Sequence, residues 1–308
     1  MTLSVSMVKE LREKSGAGMM DCKKALLETD GKIEEAIDWL RKQGLSAVAK
    51  KSSRVAAEGL IGVTVKDNQG ALIEINSETD FVARNELFQD FVKTCSDLSL
   101  TCNEDIEILK QMQYPNTGRS VDQELANNIA TIGENMNVRR TKILKVSNGV
   151  ITSYIHNSVT DGLGKLGVLV ALESNGDKDK LSSVGKQIAM HIAATSPKSL
   201  NIEDLDKDVV DRERQVLIDQ AVASGKPKEI AEKMVNGRML KYFQEVVLNE
   251  QVSVIDGETK IKDVVTKLQK DLDTEVKLAG FIFLKLGEGI EVSENDFAAE
   301  VAATAGIK

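Results

Sequence analysis

The sequence predicts an α+β protein built from several units. Three observations predict it: a helical-period stretch at the amino end, a hairpin-plus-helix pattern that occurs twice, and two long helical stripes set inside the second copy. At ~150 residues per domain, 308 residues are expected to hold about two domains and a smaller module. A chain of this size buries enough surface to fold without disulfide or metal staples.

Residues 1–54 read as a small helical module. Val8 and Leu11 share one helical face, which stops at Gly16-Ala17-Gly18. A second helix runs through Cys22, Ala25 and Leu26 and ends near Gly31; a third carries Ile33, Ala36, Ile37 and Leu40 and is expected to stop at Gly44. Residues 45–54 are expected to be a linker of mixed helix and coil.

The repeat follows. Glu58–Val65 and Ala71–Asn76 form a first pair of β-rich runs about a Gly-containing turn; Asn148–Ile155 and Val168–Glu173 form a second. Each pair precedes an amphipathic helix, marked by Phe88, Phe91, Val92 and Cys95 in the first copy and by Val184, Ile188 and Ile192 in the second. The expected subdomains are 55–147, closed by Leu125–Arg140, and 148–196 with 247–288. Between the parts of the second lies an antiparallel helical hairpin, 197–246. Its stripes are Val209, Val210, Val216, Leu217 and Ala221, then Val235, Met239, Phe243 and Val246, with Pro227 at the first turn of its second helix. Gln251–Ile255 and Phe281–Leu286 read as strands around a helix at Val264–Leu268. Residues 289–308 end in a short helix through Phe297.

Composition narrows the function. The net charge of −8 argues against a whole-chain grip on nucleic acid. It is uneven: the first 54 residues hold 11 basic and 8 acidic side chains, a net +3, which leaves −11 for the rest. No apolar run reaches the ~18 residues of a membrane span, and the first residues do not read as a secretory or transit segment. Cys22, Cys95 and Cys102 show no paired spacing, which fits a reducing cytoplasm. No catalytic residue, cofactor or metal is expected. His191 lies in an apolar helical run and reads as structural; His156 ends a strand, where a contact role and a structural one are equally open. Gly162-Leu163-Gly164-Lys165-Leu166-Gly167 has the letters of a dinucleotide fingerprint, but a strand follows it instead of a helix, so it reads as a hairpin turn.

Two segments point to contacts. Met19-Met20 opens a helix; its spacing favours core packing, although two thioethers also suit a partner surface. Ser77–Asn85 lies where the first copy's second strand hands over to its helix, and it sets Asp80 beside Phe81. Either Thr79 or Asp80 caps the helix with Phe81 stapled into the core, or Phe81 is a wedge for a partner's pocket. The second copy has Asn175-Gly176-Asp177-Lys178 there, with no aromatic, which favours the wedge.

Ser15-Gly16-Ala17-Gly18-Met19-Met20-Asp21-Cys22-Lys23-Lys24-Ala25-Leu26 and Glu78-Thr79-Asp80-Phe81-Val82-Ala83 resemble the two signatures of the bacterial elongation factor Ts family. The resemblance continues through Ile132-Gly133-Glu134-Asn135, Ile188–Ala194, Gly225–Met234 and Asp296–Val301. It implies a guanine-nucleotide exchange factor for elongation factor Tu, in its GDP-bound and nucleotide-free forms, with a ubiquitin-associated-like amino module, a two-part core, a coiled-coil hairpin and a carboxy-terminal module. Asp80 and Phe81 would act near the partner's magnesium and phosphates. Met19 and Met20 would touch a helix of its GTPase domain, and His156 would face its other domains. Leu11, Thr79, Val82 and Phe297 complete the candidate contact set. Ser15 stands where the family commonly has Thr, Ser77 where it has Cys, and Lys165 where it has Arg. The competing reading is a ubiquitin-associated-like adaptor without exchange activity. The hairpin stripes are open to pairing with each other, with a partner or with a second copy.

Overall fold

A computed structural model describes residues 4–15, 17–223, 225 and 228–291. The expected carboxy-terminal helix with Phe297, and Pro227, lie outside the described residues.

Helices α1 (Val5–Ser15), α2 (Met19–Glu28) and α3 (Ile33–Lys51) enclose a small core of Leu11, Cys22, Ala25, Leu26 and Ala36. Gly44 does not end α3, contrary to expectation. A helical glycine costs about 1 kcal/mol relative to alanine, but α3 continues because its second half packs on the core: Val48 joins the first core cluster, and Lys51 Nζ donates to the Ile129 carbonyl at 3.4 Å.

Strands β1 (Glu58–Lys66) and β2 (Gln69–Ser77) form the first hairpin, followed by α4 (Glu86–Ser99), α5 (Ile106–Gln111), α6 (Val121–Ile132) and β3 (Met136–Lys145). Strand β4 (Gly149–His156), the short β5 (Leu163–Gly164) and β6 (Leu166–Ser174) come next. They lead to α7 (Lys178–Thr195), α8 (Lys207–Ala223), α9 (Lys228–Val246), α10 (Ile261–Leu272) and β7 (Val276–Lys285). One sheet has the order β3-β2-β1-β5 and the other β4-β6-β7, all pairs antiparallel.

Alternation along the strands explains the layering. Ile61 and Leu72 from one sheet meet Ile151, Leu169, Ala171 and Leu284 from the other. Leu60, Ile73 and Ile75 point the opposite way, onto Phe88, Phe91, Val92 and Ile129 of α4 and α6. Val168, Val170 and Leu172 likewise meet Ile188, Ile192, Val265 and Leu268 of α7 and α10. The two sheets therefore stack face to face with helices outside both.

The duplication runs further than the sequence indicated. Both hairpins carry a positive-φ glycine at or next to their first residue, Gly59 (φ 123°) and Gly149 (φ 135°), where a Cβ would strike the carbonyls of Ile75 and Leu172. Each second strand breaks register at the equivalent step, Glu74/Ile75 and Ala171/Leu172. Strand β3, unforeseen within the closing segment, occupies the place that β7 takes in the second copy. Gln251–Ile255 is not a strand. Its polar Gln251 and Ser253 face inward while Val252, Val254 and Ile255 face solvent, and Ser253 N donates to Thr259 O in a loop.

The supposed turn at residues 162–167 contributes β5, which pairs with Ile61 and Gly62 of β1 and buries Leu163 in the first copy's core. Helices α8 and α9 pack through Leu217, Ala221, Ala231, Val235 and Met239; Val209 and Val216, assigned to that stripe, are exposed because they lie off the facing line.

Candidate partner-contact site

Seven residues separate the end of β2 from Asn85, which caps α4 by accepting from Leu87 N (2.9 Å) and Phe88 N (3.4 Å). In the second copy only two residues separate β6 from Asp177, which caps α7 by accepting from Lys180 N. The first copy thus carries extra chain where the repeat needs none, and that chain holds Thr79, Asp80 and Phe81.

The extra chain is well held. Thr79 donates from N and Oγ1 to the two carboxylate oxygens of Glu134, at 2.9 and 2.7 Å, and Ser77 Oγ donates to Thr79 O. Asn135 N donates to Glu78 Oε1 at 2.5 Å, Asn135 Nδ2 donates to Arg54 O, and Arg54 pairs with Glu78 at 3.5 Å. Residues 82–84 form a single 3-10 turn whose Val82 and Ala83 are buried, and Gln89 Nε2 holds the Ala83 carbonyl. Against this fixed base Phe81 is 78% exposed, with Asp80 exposed next to it and Leu87 exposed in the first turn of α4. Neither Thr79 nor Asp80 caps α4, and Phe81 is not stapled into the core.

Met19 and Met20 are 53% and 74% exposed, so the core reading that spacing favoured is wrong. They sit in the first turn of α2, where Cys22, Ala25 and Leu26 fill the inward face. Ser15 sets that turn: its hydroxyl donates to Leu11 O at 2.6 Å and accepts from Ala17 N. Burial pushes the Cys22 thiol up, which opposes reactivity.

Two candidate contact residues are not accessible. Leu11 is sealed in the helical core and Val82 is buried under the loop, so each supports the surface without forming it. His156 is exposed, 3.1 Å from Tyr154 Oη, and the neighbouring Lys165 reaches Glu58 at 3.1 Å. His191 is fully buried: Nδ1 accepts from Val254 N at 3.2 Å, so the proton lies on Nε2, which meets Gln251 Oε1 at 2.9 Å. Burial lowers its pKa against the raising effect of Gln251. Among the described residues no group of His, Cys, Asp and Glu is placed to hold a metal, and no helix is long and apolar enough to cross a membrane.

Glu134 and Asn135 lie outside the candidate contact set that the sequence defines, yet they hold its loop. The available signal was Gly133, a left-handed helix cap that turns Glu134 back toward β2.

Comparison with known proteins places the chain among the translation elongation factors. A family model described as Elongation factor TS matches residues 78–288, which span both the extra loop and its Glu134 support. The chain is 59% identical over 304 residues to Elongation factor Ts of Rhodospirillum centenum, covering 99% of each protein. It is 56% identical to that of Rhodospirillum rubrum and 53% identical to that of Rhizobium etli, each over 98% of both chains. The chain belongs to the elongation factor Ts family.

Proposed function

We propose that this protein is a cytoplasmic guanine-nucleotide exchange factor that binds elongation factor Tu and speeds its release of GDP. The observation that carries the reading is the exposed Phe81 on a loop that the repeat does not require and that Glu134 holds rigid. An exposed aromatic on a fixed base loses little conformational entropy when it enters a pocket.

Exchange needs no bond-making chemistry. It needs negative coupling: the factor binds the nucleotide-free partner more tightly than the GDP-bound one, each tenfold being about 1.4 kcal/mol, and GDP weakens the factor's binding by the same amount. In this reading Phe81 enters the partner and displaces the elements that hold its magnesium, with Asp80 supplying negative charge beside it. Removal of the metal's charge loosens the phosphates. Burying Phe81 supplies roughly 1.5–3 kcal/mol toward that disruption. Met19 and Met20, on a three-helix module of the ubiquitin-associated kind, form a second contact, and His156 faces the partner from the second core half. The helical hairpin is left for a further contact, including a second copy of the chain.

The test is release of a fluorescent GDP analogue from elongation factor Tu. The intact protein accelerates release, whereas Phe81→Ala and Asp80→Ala slow it with thermal unfolding unchanged. Parent-like release by both variants would falsify the wedge, and absence of acceleration by the intact protein leaves the adaptor reading in its place.

A further inference from the structure

The helical module is joined to the core by a specific side-chain bridge. Arg119, in the loop before α6, donates from Nη1 to the Ser15 carbonyl at the end of α1, at 3.1 Å, and from Nε to Glu124 Oε2 at 2.6 Å. Glu124 is buried in the first turn of α6, and its other oxygen accepts from Asn127. Ser15 is the same residue whose hydroxyl orders the α1–α2 turn ahead of Met19 and Met20.

A cleft opens beside this bridge. It has a volume of about 440 Å³ and lies between the module and α6, with Trp39 and Leu40 on one side and Asn127 and Ala130 on the other. Beside this cleft the module is held on the core by the run of α3 along α6 and by the Arg119 bridge. The far end of α6 leads through Gly133 to Glu134 and Asn135, which hold the Phe81 loop. Twelve residues of helix, about 18 Å at 1.5 Å each, thus separate the support of one contact from the support of the other.

We infer that Arg119 is a positioning residue: through Glu124 and Ser15 it fixes the angle of the helical module on α6, so that Met19–Met20 and Asp80–Phe81 reach a partner as one rigid pair. This deepens the exchange reading and rests on it for its functional arm. When two contacts are held at a fixed spacing, the second forms at high effective concentration once the first is made; loosening the mount lowers that concentration without altering either contact. The guanidinium suits the task because its fork serves a carboxylate and a carbonyl at once.

The experiment compares the intact chain with Arg119→Ala and Arg119→Lys. Spin labels at Glu10→Cys and Asp122→Cys, both exposed positions, report the distance between module and core; the native cysteines are buried. Arg119→Ala should broaden the distance distribution and raise the factor concentration for half-maximal GDP release about tenfold, with the maximal rate held within about twofold. Arg119→Lys, which keeps a donor for the Ser15 carbonyl, should recover part of both effects. An unchanged distribution in Arg119→Ala overturns the inference, as does a broadened one with unchanged half-saturation. The distances are read without the partner, so they decide the bridge even if the intact chain proves to have no exchange activity, an outcome that would sink the functional reading instead.

Discussion

Glu134 accepts two hydrogen bonds from Thr79, one on each carboxylate oxygen, across 55 residues of sequence. That pairing anchors the loop next to Phe81 from a different element, the turn after α6. Replacing Glu134 with Ala should slow GDP release from elongation factor Tu while lowering global stability by only about 1–3 kcal/mol, the cost of unpaired loop donors. Glu134→Gln, which keeps one acceptor, should fall between. Stopped-flow release set beside thermal unfolding measures both, and parent-like release by Glu134→Ala would show that the loop works unheld.

Leu11 and Met20 belong to one module but to opposite sides of it. Leu11→Ala should destabilise the three-helix unit by about 2–5 kcal/mol, because it empties a fully buried site. Met20→Ala should change stability by less than about 0.5 kcal/mol and weaken binding to elongation factor Tu. Calorimetry and a fluorescence titration separate them; equal destabilisation would return Met20 to the core.

Glu74 makes stability depend on acid pH. It is fully buried, which pushes its carboxyl up, but Asn76, the Gly287 amide, Arg139 and Arg140 all donate to it and hold it below the usual range. A depressed folded pKa means that the stabilisation is whole above the unfolded value near 4.5 and is lost as pH falls through the folded value. Glu74→Gln should cost about 3 kcal/mol at pH 7, and the gap from the parent should close below pH 4.5. A gap that stays constant across that window would contradict the assignment.

His191 acts in a different window. Its folded pKa is lowered, so its contribution is complete above 6.5 and declines as the pH falls through the folded value, when protonating Nδ1 breaks the bond from Val254 N. Urea midpoints should drop between pH 7 and pH 5 in the parent and stay flat in His191→Gln. Matching pH profiles would show that the ring is not the titrating group.

The hairpins were legible because their strands are covered on both faces and so are written as β-branched runs. Strand β3 was not, because Arg139, Arg140, Lys142 and Lys145 make it look like surface. The first two are matched by Glu74, a partner 65 and 66 residues away that no local pattern reveals. The continuation of α3 past Gly44 was hidden for the same kind of reason: α6, which supports it, lies far along the chain. At the candidate site, Phe81 could be found because the repeat supplied an internal control, and its exposure is what that comparison suggested. The residues that hold it were legible only in part: Gly133 marks a turn at the end of α6, but the carboxylate after it gives no hint of which backbone it will meet.

Strand β5 comes from the second copy yet completes the first sheet, and Leu163 fills the first copy's core. The two halves therefore share one sheet and one core instead of standing alone. Cut apart near residue 147, the first half would leave Ile61, Gly62 and Val63 on the edge of β1 without their partners and open a hole where Leu163 sat, lengthening an edge at which another chain can pair. The core should melt in a single cooperative transition, with neither half serving as a refuge for the other.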